Sequence, residues 1–210
     1  MLSEIDYHIH TCYSSCAEKE MTVEAIIQKS REEGLKSIAL TDHYYLNTNP
    51  EIFDKIREKA EKSQNDTVVY IGCEADVISP DEISISDDIA KKLDFVMLAP
   101  HHYQPHDGFV DRPSSSNNKV IADHMIKMFA KAAQIDFADI IAHPFCMYPS
   151  FPFFENRLEI LSLITGNDLI HVLELAKKNN ISIEINPKGF FLLLRDIPNL
   201  LFKLCKEVGL

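Results

Sequence analysis

The chain has 210 residues, and its 32 acidic against 21 basic residues give a formal net charge of −11, a balance that disfavours nucleic-acid binding because the chain would repel phosphate backbones. Its five cysteines show no CxxC spacing, which argues against a disulfide framework or a thiolate zinc finger and fits a reducing cytosol. No apolar run approaches the roughly 18 residues of a membrane span and no leader precedes the first strand-like segment, so we expect a cytoplasmic protein without a membrane segment.

Strand-like runs rich in Ile, Val and Phe alternate with helix-like runs along the chain. In chain order the pattern predicts a strand at 5–10, a helix at 22–33, a strand at 37–41, a helix at 49–61, a strand at 68–75, a helix at 87–92, a strand at 95–99, a helix at 119–134, a strand at 140–143, a helix at 168–179, a strand at 181–186 and a helix at 198–207. This order is typical of parallel strands covered by helices. We therefore expect one α/β domain spanning residues 1–210, a length at which a closed barrel of parallel strands is common.

Candidate metal ligands stand at or just after the ends of the predicted strands. His8 and His10 are two residues apart in an extended segment, so their imidazoles point to the same side and can share one cation. Four further motifs occupy such positions: Thr41-Asp42-His43, Gly72-Cys73-Glu74, His101-His102 and Ala142-His143-Pro144. Because the active-site residues of parallel α/β barrels lie at the carboxyl ends of the strands, the motifs predict a metal centre.

Together these motifs resemble those of the PHP domain, a family named for polymerase and histidinol phosphatase. The resemblance covers residues 8–186, with His8-Ile9-His10-Thr11 as the first motif and Thr41-Asp42-His43 as the second. It implies a distorted (β/α)7 barrel of the TIM type. It also implies two to three bound divalent metals, usually zinc, manganese or iron, and the hydrolysis of phosphoesters that many members perform.

The resemblance also implies which residues hold the first two metals. His8 and His10 would hold the first metal. Glu74 would bridge it to a second metal, which His101 and His143 would also hold.

A third metal would bind His43, assisted by a side chain from the loop after the first motif. Cys16 and Glu18 are the nearest candidates for that assisting ligand. His102 and His106, which flank the predicted ligand at position 101, are candidates for substrate contact or extra ligation. Imidazole and carboxylate ligands suit zinc, manganese and iron(II), so the ligand types do not choose among these metals.

The chain departs from the family pattern at its end. A Gly-Ser-Asp-Ala-His motif normally follows the seventh strand, whereas this sequence ends at Leu210 after a stretch with helical spacing. We therefore expect the last strand and helix of the barrel to be missing and the third metal site to be weak. An open seam of this kind would favour pairing between copies of the chain.

Phosphoester chemistry follows from the predicted metals and charges. Two cations would turn a bridging water into a positioned hydroxide and neutralise the charge that gathers on the phosphoryl oxygens. Glu74 and Asp42 are the predicted catalytic carboxylates, Asp42 by orienting a histidine ligand. Arg195 is predicted to hold the phosphate, with Lys188 and Arg112 as further candidates.

The sequence thus predicts a metal-dependent phosphoesterase that acts on a small phosphorylated metabolite, with histidinol phosphate as one candidate. No nucleic-acid or membrane partner is expected. Two alternatives stay open. An amidohydrolase-like barrel also begins with a His-x-His strand end, although its other ligands are usually spaced differently, and a chain without the last motif can be a metal-binding remnant that serves as an interaction module.

Overall fold

The computed structural model describes residues 4–63, 66–103, 110–146, 153–186 and 196–210, and within these it leaves out the side chains of residues 154 and 196–199. The strands are β1 (Ile5–Ile9), β2 (Ser37–Tyr44), β3 (Val68–Ser79), β4 (Glu82–Ile83), β5 (Phe95–Ala99), β6 (Ile140–Ile141) and β7 (Ser182–Ile183). The helices are α1 (Val23–Glu32), α2 (Glu51–Lys62), α3 (Asp87–Ala90), α4 (Asn118–Ala133), α5 (Arg157–Ser162), α6 (Gly166–Lys178) and α7 (Asp196–Val208), and a 3₁₀ turn covers Phe154–Asn156.

Six strands form the main sheet in the order β1-β2-β3-β5-β6-β7, and β4 pairs with β3 at its side. The pairs β1–β2, β2–β3 and β6–β7 are parallel, whereas β4 forms a short antiparallel hairpin with β3. The predicted α/β class with a sheet of parallel strands is therefore confirmed, and β4 is an addition to it.

The residues fall into two compact units. Unit 1 comprises Met1–Ala75 and Ile85–Met97, and unit 2 comprises Asp76–Ser84 and Leu98–Leu210. Among the described residues, no helix combines the length and the apolar character needed to cross a bilayer.

Strand β2 runs further than its apolar pattern predicts and ends at Tyr44. It pairs with β3 residue by residue in a parallel ladder from Ser37 opposite Val68 to Tyr44 opposite Ala75. The backbone ladder continues after the apolar pattern stops, because strand pairing is made by main-chain groups that do not depend on the side chain. As a result His43 lies within β2, where it is aligned with Glu74 of β3.

The helices of unit 1 present apolar faces at helical spacing and pack beside each other. Val23, Ile26 and Ile27 of α1 are buried, as are Phe53 and Ile56 of α2. The Thr22 side chain accepts a hydrogen bond from the Ala25 N–H and so caps α1 at its N-terminus.

Strands β3 and β5 approach closely at a glycine. A Cβ atom added to Gly72 would lie 2.3 Å from the Phe95 carbonyl oxygen. No real Cβ atom tolerates that distance, so only glycine fits the approach. The neighbouring Asp94 reinforces it, because its N–H donates to the Ile71 carbonyl and its carboxylate accepts from the Ile71 N–H.

In unit 2, α6 packs against α4 and α7. Its start differs from the prediction, which placed Asp168 first: Thr165 is the N-cap and Asp168 is the third residue of a capping box. Helices α4 and α6 contribute the main apolar side chains of this core: Met125, Met128, Phe129, Leu169, Val172 and Leu173. Helix α5 was not predicted, since its six residues are too few to show a periodic pattern.

Candidate metal-binding groups

Glu74 is the centre of a group of ligands in unit 1. Its side chain has no exposed surface, and its Oε2 atom lies 3.4 Å from His8 Nε2, 3.4 Å from His10 Nε2 and 3.1 Å from His43 Nδ1. The three histidines come from β1, the residue just after it and β2, so neighbouring parallel strands deliver all of them to one carboxylate oxygen.

The donor set of this group fits a divalent cation. The ligand atoms of His8, His10 and Glu74 lie within 4.8 Å of one another. Burying a carboxylate is costly unless positive charge balances it, and a metal ion coordinated by the same imidazoles supplies that charge. Two imidazole nitrogens and a carboxylate oxygen are donors that zinc, manganese and iron(II) accept.

The surroundings of His43 show the same demand for positive charge. Burial disfavours protonation of this ring, but hydrogen bonds and charge interactions with Cys16 and Glu74 outweigh burial and raise the pKa of His43 to about 10. The His43 ring also stacks between His10 and Tyr45, at centroid distances of 4.4 Å and 5.3 Å. Where a negative potential acts on stacked imidazoles, a metal cation can bind in place of the protons on their ring nitrogens.

Asp42 anchors the loop that follows β1. Its carboxylate accepts hydrogen bonds from the Thr11 N–H at 2.8 Å, the Thr11 hydroxyl at 2.7 Å and the Ser14 hydroxyl at 2.6 Å. The Ser14 oxygen in turn accepts a bond from the His43 N–H. These contacts favour a positioning role for Asp42, which reaches His43 through the Ser14 hydroxyl and the His43 backbone.

In unit 2, His102 has the arrangement of a metal-binding imidazole. Its Nδ1 lies 2.8 Å from Oδ1 of Asp76, and both side chains are buried. When Nδ1–H donates to the carboxylate, the ring's lone pair is on Nε2. Metal-binding histidines characteristically have their second nitrogen held in this way.

His101, which the sequence predicted as a ligand, uses both ring nitrogens inside the protein. Its Nε2 lies 3.0 Å from the Met125 carbonyl oxygen and its Nδ1 accepts from the Phe145 N–H at 3.0 Å. Burial lowers the pKa of His101 to about 3, so the ring is neutral and has no second lone pair to give. These contacts favour His102 over His101 as a ligand, and the assignment of His101 made from the sequence stays a prediction. Strand β5 ends at Ala99, so the alternation of faces along the strand does not decide which of the two following histidines meets a metal.

His143 lies beside His102, with ring centroids 5.3 Å apart. Its backbone adopts φ +23°, a value rare for a residue with a side chain, and the Glu184 carboxylate accepts its N–H at 2.7 Å. Backbone strain that a hydrogen bond holds in place is typical of functional positions.

The remaining candidates are less informative. Arg195, Lys188 and His106 lie outside the described residues. Arg112 and Glu18 are exposed, and neither belongs to a ligand group in the described part of the chain.

Sequence reasoning missed Asp76 and Glu184. A usable signal existed for Asp76, which stands two residues after Glu74 in one strand and therefore shares its side of the strand. No such signal marked Glu184, because its contact is with the backbone of a residue 41 positions away.

Comparisons with known proteins identify the family and the fold. Residues 6–188 match the family model of the PHP domain. The chain is 26% identical over 225 residues to a protein of Caldicellulosiruptor saccharolyticus named "Probable phosphatase", an alignment that covers all of this chain and 77% of the relative. The crystal structure of the "putative histidinol phosphatase hisK" from Listeria monocytogenes has the same fold, with a TM-score of 0.64 at 16% identity over 98% of this chain and 92% of that one.

Proposed function

The chain belongs to the PHP domain family, and from this premise we propose that it is a metal-dependent phosphoesterase that hydrolyses a small phosphorylated metabolite. The observation that carries the proposal is the buried Glu74 carboxylate with three imidazole nitrogens within 3.4 Å of one oxygen. This arrangement is suited to a hydrolytic metal centre. The phosphatase name of the relative from Caldicellulosiruptor saccharolyticus supports the reaction class.

The protein's own residues bind and orient. His8, His10 and Glu74 hold a cation in unit 1, while His102 and His143 provide imidazoles in unit 2. Bound divalent ions would polarise the phosphoryl oxygens and lower the pKa of the attacking water.

Other side chains keep the ligands in place. Asp76 fixes the tautomer of His102, and Glu184 holds the backbone of His143 in its strained conformation. We assign Arg195 to the phosphate, since a guanidinium binds two phosphoryl oxygens at once.

The metals and the substrate class are part of the proposal. The nitrogen and oxygen donors suit two to three ions of zinc, manganese or iron. A net charge of −11 disfavours a polyanionic substrate such as nucleic acid and leaves a small phosphomonoester, for which the name of the Listeria monocytogenes structure makes histidinol phosphate the first compound to test. A cytoplasmic location fits the five free thiols.

The test is phosphate release by the full chain after reconstitution with zinc, manganese or iron(II). A panel of phosphorylated metabolites that includes histidinol phosphate, together with a phosphodiester, separates monoesterase from diesterase activity. We expect release from at least one monoester that depends on added metal and is absent in Glu74→Gln. A metal-loaded chain that releases no phosphate from any compound would overturn the proposal.

A further inference from the structure

A second group of ligands in unit 1 contains a sulfur atom. The ligand atoms of His10, Cys16 and His43 lie within 4.8 Å of one another, with Cys16 exposed and both rings partly buried. We propose that Cys16 gives a thiolate ligand to a metal ion that His43 also holds, and that this sulfur makes the position selective for zinc over manganese and magnesium. The inference deepens the proposed function, on which it rests for the presence of a metal.

The loop places Cys16 beside His43 through a defined chain of hydrogen bonds. Asp42 accepts from the Ser14 hydroxyl, and the Ser14 oxygen accepts from the His43 N–H. The Ala17 N–H donates to the Ser14 carbonyl and closes the turn in which Cys16 lies. The thiol therefore comes from a turn that is tied to the same strand as its partner imidazole.

The distances suit a zinc ion. Zinc bonds of about 2.0–2.3 Å in a tetrahedron put ligand atoms about 3.3–3.7 Å apart. Atoms that already lie within 4.8 Å reach this spacing by a shift of about 1 Å. The exposed Cys16 side chain can make most of that shift by rotation about its Cα–Cβ bond.

The two groups in unit 1 differ in the softness of their donors. His8, His10 and Glu74 offer two nitrogens and an oxygen, whereas the second group replaces the oxygen with sulfur. Thiolates prefer zinc and other soft ions, while manganese and magnesium prefer carboxylates and water. His10 belongs to both groups, and a neutral imidazole has one lone pair, so Cys16 and His43 are the ligands that distinguish the second position.

Cobalt(II) tests the sulfur directly, because a cobalt–thiolate bond gives an intense charge-transfer absorption in the near ultraviolet that nitrogen and oxygen ligands lack. Titration of the metal-free full chain with cobalt(II) should produce this band in the wild type and in Cys12→Ser, the matched control from the same loop. Cys16→Ser should abolish it. No band in the wild type, an undiminished band in Cys16→Ser or an equal loss in Cys12→Ser would each overturn the proposal.

Alkylation tests the selectivity. Iodoacetamide should modify Cys16 of the metal-free chain, and zinc should protect it at least tenfold more than the same concentration of manganese or magnesium, as measured by peptide mass spectrometry. Equal protection by all three ions would contradict zinc selectivity. Both measurements are independent of turnover, so a chain that shows the cobalt band but hydrolyses no phosphoester keeps this inference and loses the proposed function.

Discussion

Glu74 is the residue on which the ligand group of unit 1 depends most. It is fully buried, and its Oε2 atom lies within 3.4 Å of a ring nitrogen of each of three histidines. A carboxylate at this point both binds a cation and balances its charge. Removing this carboxylate should therefore lower metal affinity more than it lowers the stability of the fold.

Glu74→Gln keeps the size of the side chain and removes its charge. We expect it to lower metal content, measured by inductively coupled plasma mass spectrometry, and to reduce phosphate release about 100-fold or more. His171→Gln is the control, because His171 lies exposed on α6. Comparable losses in both variants would contradict the role of Glu74.

The adjacent histidines after β5 give a test that separates a ligand from a brace. In His101→Gln the amide can still donate to the Met125 carbonyl and accept from the Phe145 N–H, so we expect metal content to stay near that of the wild type. In His102→Gln the Nε2 lone pair is lost, and metal affinity should fall at least tenfold by competition with a chelator. The reverse order of effects would restore the ligand assignment made from the sequence.

Among individual residues, the sequence could identify those side chains whose direction follows from the strand in which they lie. His8 and His10 share a side because a strand alternates with a period of two, and Glu74 lies in a well-marked strand. The direction of a side chain after a strand end depends on the turn that follows, so the sequence does not decide between positions 101 and 102. Arg195 stays a prediction.

At the scale of elements, the approach of β3 to β5 is the tightest constraint among the described glycines. In Gly72→Ala the new Cβ would overlap the Phe95 carbonyl, which cannot move without breaking the sheet. We expect a loss of about 1–3 kcal/mol or more in the free energy of unfolding, measured with urea.

Gly166→Ala is the matched control for that substitution. Nothing lies within 4 Å of the position of its added Cβ, and the residue begins α6. The free energy of unfolding of this variant should therefore equal that of the wild type or exceed it by up to about 1 kcal/mol. A Gly72→Ala variant as stable as Gly166→Ala would show that β3 and β5 can separate without cost.

The capping box of α6 predicts a pH dependence. Hydrogen bonds from the Thr165 hydroxyl and N–H lower the pKa of Asp168 below its ordinary value of 3.8. Because the folded pKa is the lower one, the stabilisation is fully present above pH 3.8 and is lost as the pH falls through the folded value. In urea unfolding, Asp168→Asn should have a lower free energy of unfolding than the wild type. The difference should be constant between pH 7 and pH 5 and should shrink at lower pH. A deficit that grows on acidification would contradict the capping role.

The elements that the sequence predicted are those with a long apolar period. Helices α1, α4 and α6 were located to within one or two residues at each end. The two-residue strand β4 and the short helix α5 were not predicted, because contacts with neighbouring elements stabilise them and they have too few residues to show a pattern. The last residues of β2 were not predicted for a different reason: polar side chains interrupt its apolar run, whereas the backbone ladder continues.

At the scale of the whole molecule, the alternation of strands and helices was sufficient to predict the parallel sheet, and the order of the motifs was sufficient to predict the family. The expectation of one domain over residues 1–210 stays a prediction. Neither composition nor periodicity encodes contacts such as that of Glu184 with the His143 backbone, because they join residues far apart in the chain.

Metal binding should stabilise the whole chain, because the ligands converge only in the folded state. An ion present at 100 times its dissociation constant adds about 2.7 kcal/mol to the free energy of unfolding. Adding zinc to the chelator-treated protein should therefore raise the midpoint of thermal unfolding in the wild type. The rise should be smaller in Glu74→Gln, and an identical rise in both would place the binding elsewhere.

The bonds that Asp42 makes with Thr11 and Ser14 also bear on the kinetics of metal capture. They tie the loop to β2 by hydrogen bonds within the protein, so we expect that a metal that arrives does not have to order the chain around itself. The entropy of fixing that loop is lost during folding and not during binding. Association with the ion should then be fast and limited by the exchange of water from the metal, whereas a protein with a disordered loop would bind in a slow step that follows the first encounter.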